Sequence, residues 1–155
     1  MGFLICTSCS NIELVSNKND IPNKIIIDKI NIDREYKISS IKDFVIGIVM
    51  FEETGRPNKE NSNTVIGAHS GYGDNALFND LKKLDKDDEI YLIYDNVEYK
   101  YRVNEIREVS EYDLSILDNK DSSILTLLTC NLDDKSKRIV VISHLYNWHM
   151  THCQV

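Results

Sequence analysis

The sequence predicts an all-β domain whose short strands form an antiparallel barrel or sandwich. Seven or eight short apolar segments follow one another along the chain, separated by turn residues. Few helical patterns lie between these segments, which argues against a parallel sheet with crossover helices. A chain of 155 residues can bury a real core, and its length corresponds to a single domain.

Composition narrows the class of protein. Hydrophobic residues make up 42% and charged residues 28% of the chain, as in ordinary soluble globular proteins. The net charge of −7 argues against a general nucleic-acid binder, which would carry a basic stripe. No segment approaches the ~20 apolar residues of a membrane helix, and the first residues, MGFLIC, do not form a signal peptide. We therefore expect a cytosolic protein, or one whose membrane anchor lies outside this sequence.

The first strand patterns follow an N-terminal segment without regular apolar spacing. Residues 1–22 show no apolar period and carry turn-forming residues, so we expect a poorly ordered leader or linker. Lys24–Ile30 is apolar and β-branched, which predicts a strand, and residues 31–40 predict a turn and a short second strand. The apolar segment 44–51 fits either a strand or a buried helical turn. Thr64–Ala68 predicts a short buried strand.

One helix is predicted in the middle of the chain. Leu77, Leu81 and Leu84 recur at helical spacing, with polar residues between them for the exposed face. Asp74 or Asn75 can cap the first turn. The sequence therefore predicts one short amphipathic helix.

The strongest hairpin pattern follows. Glu89–Tyr94 and Val97–Val103 are strand patterns separated by the two-residue turn Asp95-Asn96. Apolar and charged residues alternate in the second strand, which indicates one buried face and one solvent-exposed face. Residues 104–110 can extend this strand, and residues 111–121 predict a loop with a helical turn.

A cysteine and an arginine face each other at the ends of two further strands. The segments 124–129 and 138–143 are joined by the polar connection Asn131–Lys137, and so short a connection makes them antiparallel neighbours. Cys130 ends the first strand and Arg138 begins the second. A fixed cation stabilises a thiolate nucleophile and can also bind the charge that grows on a substrate carbonyl under attack.

A thiol nucleophile also needs an acid that protonates the leaving group, and histidine usually serves. His69 follows a predicted strand, where scaffolds commonly carry catalytic groups. His144, His149 and His152 are alternatives, but they lie in residues 144–155, which predict an irregular tail. From the residues alone, an inert core cysteine and a surface histidine remain the competing interpretation.

Four segments together resemble a known family. Thr126–Cys130 (TLLTC) resembles the TLxTC signature of sortases, and Arg138 follows at a spacing that sortases use. Asn63–His69 (NTVIGAH) resembles their NTVIAGH segment, and residues 77–90 resemble their F-x-D-L…GDEI stretch. The resemblance covers roughly residues 22–143, and the four motifs occur in the family's order.

The resemblance implies a closed eight-stranded β-barrel with one or two short helices, formed by residues 23–143. It also implies a cysteine transpeptidase. In that mechanism Cys130 attacks the Thr-Gly bond of an LPxTG-like sorting signal and forms a thioester. His69 protonates the departing amine, Arg138 holds the substrate and the oxyanion, and an incoming amine resolves the thioester.

The same resemblance implies the surroundings of this chemistry. Ala68, Leu128 and Thr129 are expected to contact the substrate, which is a surface protein or pilin with a C-terminal sorting signal. The acceptor is an amine of a cell-wall precursor or a pilin. The expected location is the extracytoplasmic face of a Gram-positive membrane, reached through an anchor absent from this chain. The chemistry needs no metal or organic cofactor, and the sequence assigns no site to the calcium that some members bind through loop carboxylates.

The chain departs from the family pattern in ways that bear on its class. Gly67-Ala68 stands where the family usually has Ala-Gly or Ser-Gly, although both residues remain small. Residues 104–123 are too short for the long helix of class B, and the start lacks the Asp-Pro-aromatic lid of class C. A class A-like or class D-like sortase fits best.

Other functions compete with this interpretation. Thiolate and imidazole are preferred zinc ligands, so the cysteines and histidines near the two termini could bind zinc. These residues are Cys6, Cys9, His144, His149, His152 and Cys153. A catalytically idle, peptide-binding barrel and a hydrolytic cysteine protease are further alternatives. The sequence argues against the idle barrel, because Cys130, His69 and Arg138 are all present.

Overall fold

A computed structural model describes residues 21–43, 47–74 and 76–151 of the chain. These residues form eight strands: β1 (Lys24–Ile27), β2 (Ile32–Ser39), β3 (Ile48–Phe51), β4 (Asn63–Ala68), β5 (Glu89–Tyr94), β6 (Val97–Ser110), β7 (Ile124–Cys130) and β8 (Lys137–Met150). Four short 3₁₀ helices accompany them: Asp28–Ile30, Ile41–Asp43, Leu81–Lys83 and Leu114–Leu117. In the described part of the chain, no helix is long and apolar enough to cross a membrane.

The strands close into a barrel in the order β1-β2-β3-β4-β7-β8-β6-β5. This confirms the eight-stranded barrel that the resemblance implies. Six of the neighbouring pairs are antiparallel, whereas β2 with β3 and β4 with β7 are parallel. The parallel pairing of β4 with β7 is possible because the long β5–β6 hairpin lies between them in the chain and provides the crossover.

The β5–β6 hairpin forms as predicted. Asp95 and Asn96 both have positive φ angles, 51° and 60°, which is the conformation that a two-residue hairpin turn needs. The extension of the second strand through residues 104–110 is also confirmed, because β6 pairs with β8 as far as Ser110. The apolar segment 44–51 is a strand at Ile48–Phe51, and residues 44–46 lie outside the described residues.

The prediction of an irregular tail from residue 144 is wrong for residues 144–150. This segment continues β8 and pairs with the start of β6, with Tyr99 opposite Trp148 and Val97 opposite Met150. The physical reason is that β5 pairs with only one edge of the start of β6, and the backbone groups of the other edge find their partners in β8. Residues 152–155 of the predicted tail and residues 1–20 of the predicted leader lie outside the described residues.

The helix predicted after residue 74 is mostly absent. Residues 77–80 form turns, and only Leu81–Lys83 is helical, as a single 3₁₀ turn. Phe78, Leu81 and Leu84 are nonetheless buried in the core. The leucine spacing therefore reflects burial of these side chains by turns and not by a helix. A segment of this length has little intrinsic tendency to remain helical in isolation. Asn75, one of the two proposed caps, lies outside the described residues.

Strand alternation sorts the side chains into two faces. Leu125 and Leu127 of β7 pack inside the barrel. Leu128 packs on the outer face against the same clusters as Leu117 of the loop between β6 and β7. On β8, Val141 belongs to the interior and Val140 to the outer cluster. Near the end of β7, the even-numbered residues of β7 and β8 therefore face outward, toward the loop between β6 and β7.

Candidate active site

Cys130 and Arg138 are directly opposite each other on β7 and β8. This confirms the predicted juxtaposition of the thiol and the guanidinium. Leu128 and Val140 are the next opposite pair, two positions away on each strand, and they face outward. Because side chains alternate along a strand, Cys130 and Arg138 face outward as well. The two functional groups therefore lie outside the barrel core, where a substrate can reach them.

His69 reaches the same place through the parallel pairing of β4 and β7. Gly67 of β4 is the partner of Leu128, so both strands run toward the same end of the barrel. His69 directly follows β4, and Cys130 is the last residue of β7. The hydroxyl of Ser70 donates a hydrogen bond of 2.7 Å to the carbonyl oxygen of Cys130. This bond fixes the segment that carries His69 beside the end of β7.

One cavity of about 310 Å³ brings all six predicted site residues together. The residues that line it include His69, Cys130, Arg138, Ala68, Leu128 and Thr129. The side chain of Thr129 is already used within the protein, because its hydroxyl donates to the carbonyl oxygen of Ala68 at 2.8 Å. Contact of Ala68, Leu128 and Thr129 with substrate stays a prediction. His144 and His149 lie on the exposed part of β8 and do not line this cavity.

A second, smaller cavity lies beside the first. It measures about 130 Å³ and shares Thr129 and Cys130 with the larger cavity. Its wall also carries polar side chains, among them Ser70, Asn79 and Lys82. Cys130 therefore lies between an apolar cavity with a guanidinium on one side and a more polar cavity on the other.

The loop between β6 and β7 forms part of the wall of the larger cavity, and Asn63 anchors this loop to β4. The Asn63 side-chain amide donates to the carbonyl oxygens of Ile116 at 2.7 Å and Asp118 at 3.0 Å. Its side-chain oxygen accepts a 2.7 Å hydrogen bond from the hydroxyl of Thr126 on β7. Asn63 is fully buried, so these partners replace water completely. Ile116 and Leu117 of the anchored loop form part of the cavity wall.

We expect Asn63→Ala to lower the free energy of unfolding by about 2 to 4 kcal/mol, because it leaves buried polar groups without partners. Urea unfolding of the two proteins measures this difference. The matched control is Asn58→Ala, which removes an exposed asparagine and should change stability by less than about 0.5 kcal/mol. Equal stability of the two variants would contradict the anchoring role.

Two carboxylates of this loop, those of Glu111 and Asp113, also line the larger cavity. Glu111 contacts Arg138, with 3.2 Å between its carboxylate oxygen and Nη2 of the guanidinium. Asp113 instead accepts hydrogen bonds from the hydroxyl and the backbone N–H of Ser115, and these hold the pKa of the Asp113 carboxyl below its usual range. The two carboxylates thus have different partners.

Sequence reasoning missed three of these residues. Ser70 directly follows the predicted histidine, and Asn63 lies within the motif that carries the resemblance, but neither has a local pattern that reveals its distant partner. Glu111 follows a strand end in a stretch predicted as a loop, and its contact with Arg138 spans 27 positions of the chain. Such contacts depend on barrel closure, which a single sequence does not show.

The described residues do not bring the proposed zinc ligands together. Within them, no group of three or more histidine, cysteine, aspartate or glutamate side chains is arranged to hold a metal ion. His149 lies 3.6 Å from Glu98 on the neighbouring strand. The other proposed ligands, Cys6, Cys9, His152 and Cys153, lie outside the described residues, so zinc binding there stays untested.

Comparison with known proteins decides the family. The family model described as the sortase domain matches residues 23–146, which is most of the chain. The chain belongs to the sortase family. The family resemblance of the four sequence motifs is thereby confirmed, and the family consists of transpeptidases associated with the Gram-positive cell surface.

Individual sortases are similar to this one over most of its length. Sortase A of Bacillus anthracis is 28% identical over 131 residues, which are 83% of this chain and 61% of that protein. Sortase A of Listeria monocytogenes is 31% identical over 84 residues, covering 54% and 38% of the two chains. The crystal structure of sortase C1 from Streptococcus agalactiae superimposes with a TM-score of 0.72 at 29% identity, covering 81% and 67%.

The relatives are longer than this chain and belong to more than one sortase class. The chain spans less than two thirds of the length of the two sortases A. Both sortases A and a sortase C are among the similar proteins, so the comparisons assign the family and not the class. The class A-like or class D-like assignment of this sortase stays a prediction.

Proposed function

We propose that this chain is a cysteine transpeptidase that cleaves an LPxTG-like sorting signal between threonine and glycine. Cys130 attacks the threonine carbonyl, and the amide nitrogen of glycine leaves as an amine after His69 protonates it. The product is a thioester between the substrate and Cys130. An incoming amine then attacks the thioester, which forms a new amide bond and returns the thiol.

The observation that carries the proposal is the shared cavity of His69, Cys130 and Arg138. The three side chains match the three needs of acyl transfer: a nucleophile, an acid for the leaving group and a cation for the oxyanion. The remaining wall is largely apolar, with Phe51, Ile116 and Leu128 among its residues. Such a wall suits the leucine and proline side chains of the sorting signal.

The proposed partners follow from the transfer step. The acyl donor is a surface protein or pilin, and the acceptor is an amine of a cell-wall precursor or of a pilin. The smaller cavity on the other side of Cys130 gives such an amine a separate approach to the thioester. The reaction takes place at the extracytoplasmic face of a Gram-positive membrane. Thiol, imidazole and guanidinium supply all the groups that the chemistry uses, so we propose that it needs no cofactor.

The test is product analysis of a quenched LPxTG-type pentapeptide, incubated with and without a glycine-based amine. We expect a peptide–amine conjugate when the amine is present and a slower release of the free carboxylate when it is absent. A peptide of the same composition in scrambled order is the control, and it should stay intact. Free carboxylate as the sole product in the presence of amine would indicate a hydrolytic cysteine protease. No cleavage across a panel of sorting signals would contradict the proposal.

A further inference from the structure

The carboxylate of Glu111 is fixed against Arg138 at the wall of the larger cavity. The two side chains form an ion pair of 3.2 Å, and about three quarters of each is buried, with 29% and 26% exposed. Glu111 directly follows β6, and its backbone N–H donates to the carbonyl oxygen of Ser136 at 2.9 Å. The backbone of Glu111 is therefore held by Ser136, a residue of the connection between β7 and β8, in addition to the ion pair with Arg138.

The contacts of Arg138 divide its hydrogen-bond donors into two groups. Nη1 donates to the carbonyl oxygens of Lys135 and Lys137, each at 3.1 Å, and Nη2 donates to Glu111. A guanidinium has five N–H donors, so three are engaged. Within the described residues, the Nε proton and the second Nη2 proton have no acceptor among these bonds. These two donors are available to a substrate in the cavity that Arg138 lines.

The Glu111 contact restrains the guanidinium at a second nitrogen. Both carbonyl oxygens bind the same nitrogen, Nη1, and the guanidinium is otherwise held only through its flexible carbon chain at Nε, so its plane can still tilt. A second contact at Nη2 fixes the plane and the direction of the remaining donors. Asp113, the other carboxylate of the wall, is bonded to Ser115 within its own turn.

We propose that Glu111 is a positioning residue for Arg138. It holds the guanidinium so that its two remaining donors face the acyl oxygen at Cys130 when the oxyanion forms. This inference rests on the proposed acyl-transfer function and adds to it a residue outside the cysteine, histidine and arginine set. Preorganised donors stabilise a transition state because they need no reorganisation when charge develops. Glu111 therefore acts on the rate of the chemical step more than on binding.

Steady-state kinetics with the sorting-signal peptide tests this role. We expect Glu111→Ala to lower kcat about tenfold and to change KM less than about threefold. Glu111→Gln should stay within about threefold of the unmodified protein, because its amide oxygen accepts the same hydrogen bond from Nη2. The matched control is Glu105→Gln, which alters an exposed carboxylate of β6 that pairs with Arg107 and should leave both constants unchanged.

A double-mutant cycle separates positioning from a general structural effect. In the Arg138→Lys background, which removes the planar fork, Glu111→Ala should lower kcat by less than about twofold. An equal loss in both backgrounds overturns the proposal. A rise in kcat for Glu111→Ala also overturns it, because Glu111 would then restrain the charge of Arg138 and not orient it.

A readout without substrate keeps this inference separable from the proposed function. The Nε–H signal of Arg138 in a ¹⁵N-labelled sample is identified by its loss in Arg138→Lys. We expect this signal to broaden and its proton to exchange faster with water in Glu111→Ala, while Glu111→Gln resembles the unmodified protein. If no sorting-signal peptide is cleaved, the proposed function fails, and the Nε–H resonance alone then tests whether Glu111 positions Arg138. An unchanged signal in Glu111→Ala overturns the inference whatever the activity.

Discussion

Replacing Cys130 with alanine is expected to lower the rate of sorting-signal cleavage by at least about 10⁴-fold. The physical reason is that the thiol forms the covalent bond to the acyl group, and removing a nucleophile removes that whole route. Cys130 lies at the end of β7, lines both cavities and is only partly buried. The substitution should therefore change the free energy of unfolding by less than about 1 kcal/mol. Peptide cleavage and urea unfolding of the same samples measure the two effects.

A chemical control and an internal control sharpen this prediction. Cys130→Ser keeps the shape but offers a much weaker nucleophile, so its rate should be close to that of the alanine variant. In the unmodified protein, rapid acid quenching followed by peptide mapping should find the acyl mass on the peptide that contains Cys130. The remaining cysteines, Cys6, Cys9 and Cys153, serve as internal controls and should stay unmodified. Undiminished cleavage by Cys130→Ala, or acylation elsewhere, would remove Cys130 from the mechanism.

The part of the site that the sequence predicts is the part formed by neighbouring segments. The short polar connection between β7 and β8 is enough to pair Cys130 with Arg138, and the observed register agrees. The period of two along each strand also assigns the two side chains to one face. These inferences are local, because they need only the strand pattern and the length of one loop.

The rest of the site depends on contacts between distant segments. His69 lies near Cys130 because β4 pairs in parallel with β7, and only barrel closure produces this pairing. The residues alone favoured His69 over the other three histidines because it follows a predicted strand, but only the family resemblance indicated that it lies near Cys130. Asn63 and Glu111 shape the cavity through partners more than 20 positions away, and no local pattern indicates such partners.

Two of the errors in the predicted secondary structure have a related cause. The spacing of Leu77, Leu81 and Leu84 suggests a helix, but burial of the last two needs only turns that direct them into the core. The segment 144–150 has no clear strand pattern of its own, yet it forms a strand because the start of β6 pairs with it. In both cases tertiary contacts override the local signal.

His69→Ala is expected to slow cleavage of the amide substrate by about 10²- to 10⁴-fold, the usual contribution of a positioned acid. An amine leaves a tetrahedral intermediate only after protonation, whereas an alkoxide leaves far more readily. The loss should therefore shrink by at least about tenfold for a substrate in which an ester replaces the threonine–glycine amide. Comparing kcat/KM of the two substrates in the two proteins measures this difference.

The exposed histidines of β8 provide matched controls for His69. His144 and His149 lie outside both cavities that contain Cys130, so His144→Ala and His149→Ala should cleave amide and ester at unchanged rates. An equal loss with amide and ester in His69→Ala would contradict protonation of the leaving group. Such a result would assign His69 to a step that both substrates share, such as formation of the thiolate of Cys130. Loss of activity in His144→Ala or His149→Ala would instead place the acid outside the cavity that holds Cys130 and Arg138.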